Sequence, residues 1–179
     1  MKYFVKRYKM FLIVLVLMGI FFIFDRNLGR MAFEKAGFTV KEMLLVIPPI
    51  FVLLGLLDVW IPRETMMRFM GEESGLKGVL LAFLLGSAAA GPLYGAFPVA
   101  SVFMRKGVKF SNILVFIGSW STTKIPLVLF EVEAMGVKFA LTRLALNIPG
   151  ILIIAWTLSA LLSDRQIQEI YSLNTEKHI

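Results

Sequence analysis

The chain has 179 residues, of which 58% are hydrophobic, with a net charge of +7 and a mean hydropathy of +0.80. Soluble domains hold about 45–50% apolar residues, so a soluble globular class is excluded. There is no cysteine, which excludes disulfides, thiolate catalysis and Cys-ligated metals.

Five apolar segments, near 10–24, 43–61, 79–104, 111–130 and 144–162, approach the length needed to cross ~30 Å of hydrocarbon, the first being shortest. They predict an all-α integral membrane protein, multi-pass in the cell membrane. Residues 1–164 form the polytopic domain and 165–179 a short polar tail, read as a surface helix. Lys2, Lys6, Arg7 and Lys9 precede the first segment in the manner of a signal peptide. No small-x-small cleavage site follows, because the core runs into Phe24-Asp25-Arg26, and a retained first helix is expected.

Residues 25–42, with Gly29 and Gly37, read as a polar connector. The second segment, MLLVIPPIFVLLGLLDVWIP, holds Pro48-Pro49 and, near its far end, Asp58; a kinked helix is expected. Residues 63–73, RETMMRFMGEE, alternate charge with Met and Phe at helical spacing, which suggests a short interfacial helix.

The third segment contains GSAAAGPLYGAFP at 86–98. As one straight helix, Gly78 to Met104 would rise roughly 40 Å, more than the hydrocarbon requires. Gly86, Gly91, Pro92, Gly95 and Pro98 lie in its middle. Either the helix breaks there or two half-helices dip in and return. Unpaired peptide groups are costly in lipid, so such a break is buried in protein or lines a wet cavity. The fourth segment repeats the design: apolar residues, then Gly118-Ser119-Trp120-Ser121-Thr122-Thr123-Lys124, then Pro126 and more apolar residues. The fifth opens with Asn147 and Pro149-Gly150. Paired interrupted segments point to a transport site near the bilayer midplane. Close packing of two helices through small residues is the competing reading.

Lys124 falls mid-segment, where an ammonium costs ~2.5–3.5 kcal/mol on insertion scales. It is either an anchor for an anionic or electron-rich solute or a structural partner of Asp58, Glu131 or Glu133. The two glutamates are placed near the far surface. The hydroxyls of Ser119, Ser121, Thr122 and Thr123 can coordinate a small ion or solute, or can bond back to freed carbonyls. Trp120 and Tyr94 can line the same path.

No enzyme constellation is present. The single histidine, His178, is one residue from the C-terminus, and there is no Gly-rich phosphate loop followed by Lys-Ser/Thr. No metal, cofactor, ATP hydrolysis or nucleic-acid partner is expected. The basic charge lies in short loops, where it orients the chain against anionic headgroups.

The stretch AAGPLYGAFPVASVFMRKGVKFSNILVFIGSW resembles the core motif of the predicted-permease family that includes the organoarsenical efflux permeases. The matching pieces are Gly91-Pro92, Gly95, Pro98-Val99-Ala100, Arg105-Lys106-Gly107 and the break from Gly118 to Pro126, within residues 75–160. Members often carry cysteines where this chain has Leu93-Tyr94-Gly95, so thiol-linked handling of arsenicals is in doubt. They are also usually about twice as long, with two related halves. A half-length member implies a homodimer, parallel or antiparallel.

Basic residues divide evenly between the two sides if five segments each span, as in a chain that inserts both ways. If the third segment is instead a hairpin, loop 105–109 changes side and the charge gathers on the side of the N-terminus. Both arrangements remain open at this point. The sequence thus predicts a permease for a small solute or ion, working without ATP hydrolysis, against two alternatives, a non-transporting assembly partner and a channel. The expected path residues are Gly91, Pro92, Tyr94, Gly95, Pro98, Ser119, Trp120, Ser121, Thr122, Thr123 and Lys124.

Overall fold

A computed structural model describes residues 8–89 and 91–176; among the described residues every element is helical. Lys2, Lys6, Arg7, Lys177 and His178 lie outside them, as does the side chain of Asp58. The chain divides into two units, Met1–Pro49 and Ile50–Ile179. Three stretches are long and apolar enough to cross a membrane, Arg26–Leu57, Phe110–Met135 and Val137–Leu161. The protein is an all-α membrane protein.

In the first unit, α1 (Lys9–Phe24) is followed after Asp25 by the start of α2 (Arg26–Trp60). Asp25 caps α2, its Oδ1 accepting from Asn27 N at 2.9 Å and Leu28 N at 3.1 Å. Gly29 lies against the Phe22 backbone, where a Cβ would have no room. The polar connector expected at 25–42 is instead helix, continuous with the second apolar segment over 35 residues. A capped start, an Arg30–Glu34 pair one turn apart at 2.8 Å and no proline before Pro48 let the helix propagate. Pro48 and Pro49 remove the donors that would bond the Leu44 and Leu45 carbonyls, and the boundary between the units falls directly after them.

The second unit holds the end of α2, then α3 (Arg63–Met70), a 3-10 turn (Glu72–Ser74), α4 (Gly75–Ala88), a 3-10 turn (Leu93–Gly95), α5 (Ala96–Arg105), α6 (Phe110–Thr122), α7 (Ile125–Met135), α8 (Val137–Leu161) and α9 (Asp164–Glu176). α3 is the expected amphipathic helix, with Met66 and Met70 buried one turn apart. The fifth segment begins earlier than its apolar core suggested, directly after Gly136, whose φ of 87° suits glycine and turns α7 into α8.

Contacts fix the direction of each helix. Gly78 lies beside Asn112, and Gly86 beside Ser119 and Trp120, so α4 and α6 run parallel. Gly95 meets Trp120 while Phe103 meets Phe116, so α5 runs back along α6. Loop 106–109 then returns to where α4 began: Lys109 N donates to Met70 O at 2.9 Å, and Lys106 Nζ to Ile61 O at 2.7 Å. Helices α4 and α5 therefore leave from and come back to one end, here called the basal end. With 14 and 10 residues they rise about 21 and 15 Å, less than a bilayer core. By contrast, α8 passes antiparallel to both α6 and α7, touching Gly118 through Ile151 and Glu131 through Arg143.

The core of this unit is built from small residues and one aromatic ladder. Ala82, Ala96 and Ile113 are fully enclosed, and Phe103, Phe116 and Trp120 stack edge to face at 4.9 and 5.5 Å. Large apolar side chains such as Leu129, Phe130, Ile153 and Ile154 point outward. Small residues inside and bulky ones outside is the pattern of helices that pack in lipid rather than water.

Candidate functional site

The non-helical stretch between α4 and α5 lies against the one between α6 and α7. α4 stops at Ala88, and Gly91 takes φ of 104°, a conformation that strains any residue with a Cβ. Pro92 follows in an extended conformation, and Leu93–Gly95 form a single 3-10 turn leading into α5. Pro98 falls in the first turn of α5, where its missing N–H leaves no helical bond unmade. On the other side, α6 ends at Thr122 and α7 starts at Ile125, leaving Thr123 and Lys124 between them.

Side chains from the second break supply donors to carbonyls freed by the first. The Lys124 ammonium donates to Gly91 O at 2.8 Å. The Trp120 indole N–H points at Gly91 O and Pro92 O, at 3.4 and 3.2 Å. Ser87, at the end of α4, shares a hydrogen bond of 2.8 Å with Thr123. Close approach is what allows this. At Gly86 a Cβ would stand 2.5 Å from Phe116 O and 2.8 Å from Ser119 Cβ, and at Gly118 it would meet Ile151 Cγ2 at 2.9 Å.

Most of the hydroxyls are turned toward their own helix. Ser121 and Thr122 donate to Gly118 O at 2.9 and 2.8 Å, and Thr123 Oγ1 lies 3.1 Å from Ser119 O. They satisfy the end of α6, as hydroxyls back-bonding in lipid-embedded helices do. Ser119 is fully enclosed, and its hydroxyl has no partner among the described residues. Tyr94 lies half-buried in the 3-10 turn, and Gly95 is buried against Trp120 and Ile50.

Lys124 does not pair with either glutamate considered for it. Glu133 is exposed, and Glu131 is claimed by Arg143, whose Nε donates to its Oε2 at 2.7 Å. Glu131 is moreover buried within the protein, at 8% exposure. The same guanidinium donates through Nη2 to Thr122 O at 2.8 Å, closing the last carbonyl of α6. The sequence analysis singled out neither Arg143 nor Ser87. The signal for Arg143 was its spacing: Glu131 and Arg143 flank Gly136 at similar distances, so a helical hairpin there brings them level.

The junction is thus a place where one lysine, one indole and several backbone carbonyls gather between interrupted helices. Among the described residues no three His, Asp or Glu side chains converge to hold a metal ion. What the arrangement offers is the Lys124 ammonium, held by a backbone carbonyl and with no ion pair among the described residues, in a setting of peptide dipoles.

The family described as predicted permease matches residues 30–178, which takes in both breaks and the helices around them. No curated protein and no solved structure matches the chain.

Proposed function

This chain belongs to the predicted-permease family, and on that premise we propose that it moves a small anionic or electron-rich solute across the cell membrane, along a path lined by the two breaks. The observation that carries this reading is the Lys124–Gly91 bond: an ammonium half-buried in the middle of the Phe110–Met135 span, held by a carbonyl. A cation at that depth is expensive and marks a solute pathway or a bound anion. The N-terminus of α7 starts at the next residue and adds the positive end of its dipole.

In this reading α4 and α5 form a re-entrant hairpin from the basal end, and α6 with α7 forms one interrupted span. Gly91, Pro92, Gly95 and Pro98 shape the hairpin tip, Tyr94 and Trp120 line it, and Lys124 sets the electrostatic preference. Ser119, Ser121, Thr122 and Thr123 hold the α6 end and offer lone pairs to the path. Transport proceeds by alternating exposure of this junction, in a multi-pass protein without ATP hydrolysis.

A second copy of the chain completes the path. The tip of the hairpin shows Leu93 at 41% and Phe97 at 55% exposure, next to non-helical backbone. Such backbone at membrane depth requires cover by protein or water, and a homodimer packed at this tip supplies it.

The test is flux in proteoliposomes with a panel of small oxyanions, halides and trivalent organoarsenicals. Saturable flux that Lys124→Gln reduces at least tenfold supports a carrier. Equal absence of flux from wild type and Lys124→Gln throughout the panel favours a non-transporting partner, and fast non-saturating flux a channel.

A further inference from the structure

Asn147 is a polar side chain that stands out in the sequence and that the path just described leaves unused. It lies on α8, inside the Val137–Leu161 span, and its amide nitrogen is buried with no partner among the described residues. Three other polar side chains of this helix are satisfied. Thr142 donates to Lys138 O at 2.7 Å, Ser159 to Ala155 O at 2.8 Å, and Arg143 to Glu131 and Thr122 O. An enclosed amide donor without an acceptor is costly, and buried polar groups in native proteins are nearly always paired. Because the nitrogen itself is enclosed, a second chain packed on the outside of α8 does not reach it. Its acceptor has to arrive through the interior.

The neighbours on α8 fix where that interior lies. Arg143, Asn147 and Ile151 follow at four-residue spacing and share one face of the helix. Arg143 Nη2 reaches Thr122 O at 2.8 Å, and Ile151 fills the space beside Gly118. Asn147, one turn from each, is therefore level with the last turn of α6, just before the non-helical Thr123 and Lys124. Lys124 and Trp120 turn from this break toward Gly91 O, while Asn147 approaches it from α8.

The geometry assigns Asn147 as a further solute-contacting residue: its amide N–H donates to a hydrogen-bond-accepting anion passing the α8 side of the second break. This rests on the reading of the breaks as a path for an anionic or electron-rich solute. An amide suits the position. It supplies a donor without adding a charge, and a hydrogen bond to an ionised acceptor is stronger than one to a neutral partner. The carboxylate on that side, Glu131, has the Arg143 Nε at 2.7 Å, so its charge is offset before an anion meets it.

The experiment uses the absence of native cysteine and a sulfonate as the anion. Asn147→Cys is compared in the full chain, in lipid nanodiscs, with Ser121→Cys on the path already described. Leu146→Cys, at a side chain 68% exposed on α8, is the unreactive lipid-facing reference. Each is treated with an anionic sulfonatoethyl and a cationic trimethylammonioethyl methanethiosulfonate, and rates are taken relative to those with free mercaptoethanol. Asn147→Cys and Ser121→Cys are expected to favour the anionic reagent severalfold, and to lose the preference when Lys124→Gln is added. An Asn147→Cys that is inert or shows no preference, beside a Ser121→Cys that favours the anion, overturns the assignment and leaves the path standing; the amide then holds a trapped water. Inertness or absence of preference at both sites overturns both. Should Asn147→Cys fail to fold, Asn147→Asp keeps the shape of the side chain and is read through Ser121→Cys. It should reverse the reagent preference there, and an unchanged preference overturns the assignment.

Discussion

At Gly86 an added Cβ would stand 2.5 Å from the carbonyl oxygen of Phe116 and 3.0 Å from the amide of Trp120, backbone atoms that cannot rotate aside. Gly86→Ala is therefore expected to cost roughly 1–3 kcal/mol, the usual penalty of overpacking. Gly150, in the middle of α8, has nothing within 4 Å of its Cβ position, so Gly150→Ala is expected to be neutral or stabilising by about 0.5–1 kcal/mol. Thermal unfolding of the two variants in the same detergent checks the contrast; equal shifts would mean that α4 does not press on α6 as described. A second expectation concerns Trp120. Trp120→Phe keeps the ring that packs on Phe116 at 5.5 Å but removes the N–H aimed at Gly91 O and Pro92 O. It should cost about 0.5–1.5 kcal/mol, as for one hydrogen bond, and loosen the hairpin tip. With no native cysteine in the chain, Leu93→Cys gives a clean reporter: its reaction with a soluble maleimide should speed up when Trp120→Phe is added. Lys124, Trp120 and Gly91 were legible in the sequence because a charge, an indole and a Gly-Pro step are rare inside apolar segments. That Lys124 meets a carbonyl rather than a carboxylate was not, since both partners were compatible with its position along the chain.

The helices themselves were written in apolar run length, and the non-helical stretches between them fall at Gly, Pro and hydroxyl residues. What local pattern could not show was direction. Whether α5 continues across or returns is decided by contacts far apart in the chain, such as Lys109 N to Met70 O and Phe103 to Phe116. The polar look of 25–42 misled for a related reason, because charged residues spaced one turn apart suit a helix as well as a loop. The polar tail shows how an element is held once its helix exists. α9 docks on α5 and on the loop after it: Ser101 and Asn174 exchange two hydrogen bonds, at 2.6 and 3.0 Å, and the Tyr171 hydroxyl donates to Val108 O at 2.5 Å. Burial first, and then the negative charge of Glu72, raise the Tyr171 phenol from 10.0 to about 12. A phenol raised on folding contributes stability that is complete below its unfolded value and lost as pH rises through the folded one. Docking of α9 should therefore be constant at neutral pH and loosen between about pH 10 and 12. Hydrogen exchange of the α9 amides across that window reads it, and Tyr171→Phe should remove the alkaline step.

At the scale of the molecule, the hairpin decides how charge is laid out. Because α4 and α5 return to the basal end, Arg63, Arg68, Lys77, Arg105, Lys106, Lys109 and Arg165 gather there, while Lys138 stands exposed near the opposite turn. Arg143 on that side is engaged by Glu131 and adds little free charge. An even division of basic residues, which would permit insertion both ways, needs α5 to end on the far side, and the Lys109–Met70 and Lys106–Ile61 bonds hold it at the near one. By the positive-inside rule, a cytoplasmic basal end is the expected outcome. Three single-cysteine variants, Glu73→Cys, Lys109→Cys and Lys138→Cys, test this on a background free of native thiols. With an impermeant maleimide on intact cells, Lys138→Cys should label, while Glu73→Cys and Lys109→Cys should label only after permeabilisation. Glu73→Cys and Lys109→Cys labelling from opposite faces would turn the hairpin into a span. Partial labelling at all three sites would mean insertion in both orientations, and would put the axis of the proposed dimer in the plane of the membrane. For that proposed dimer, the outcome decides whether tips carrying Leu93 and Phe97 would meet side by side or head to tail.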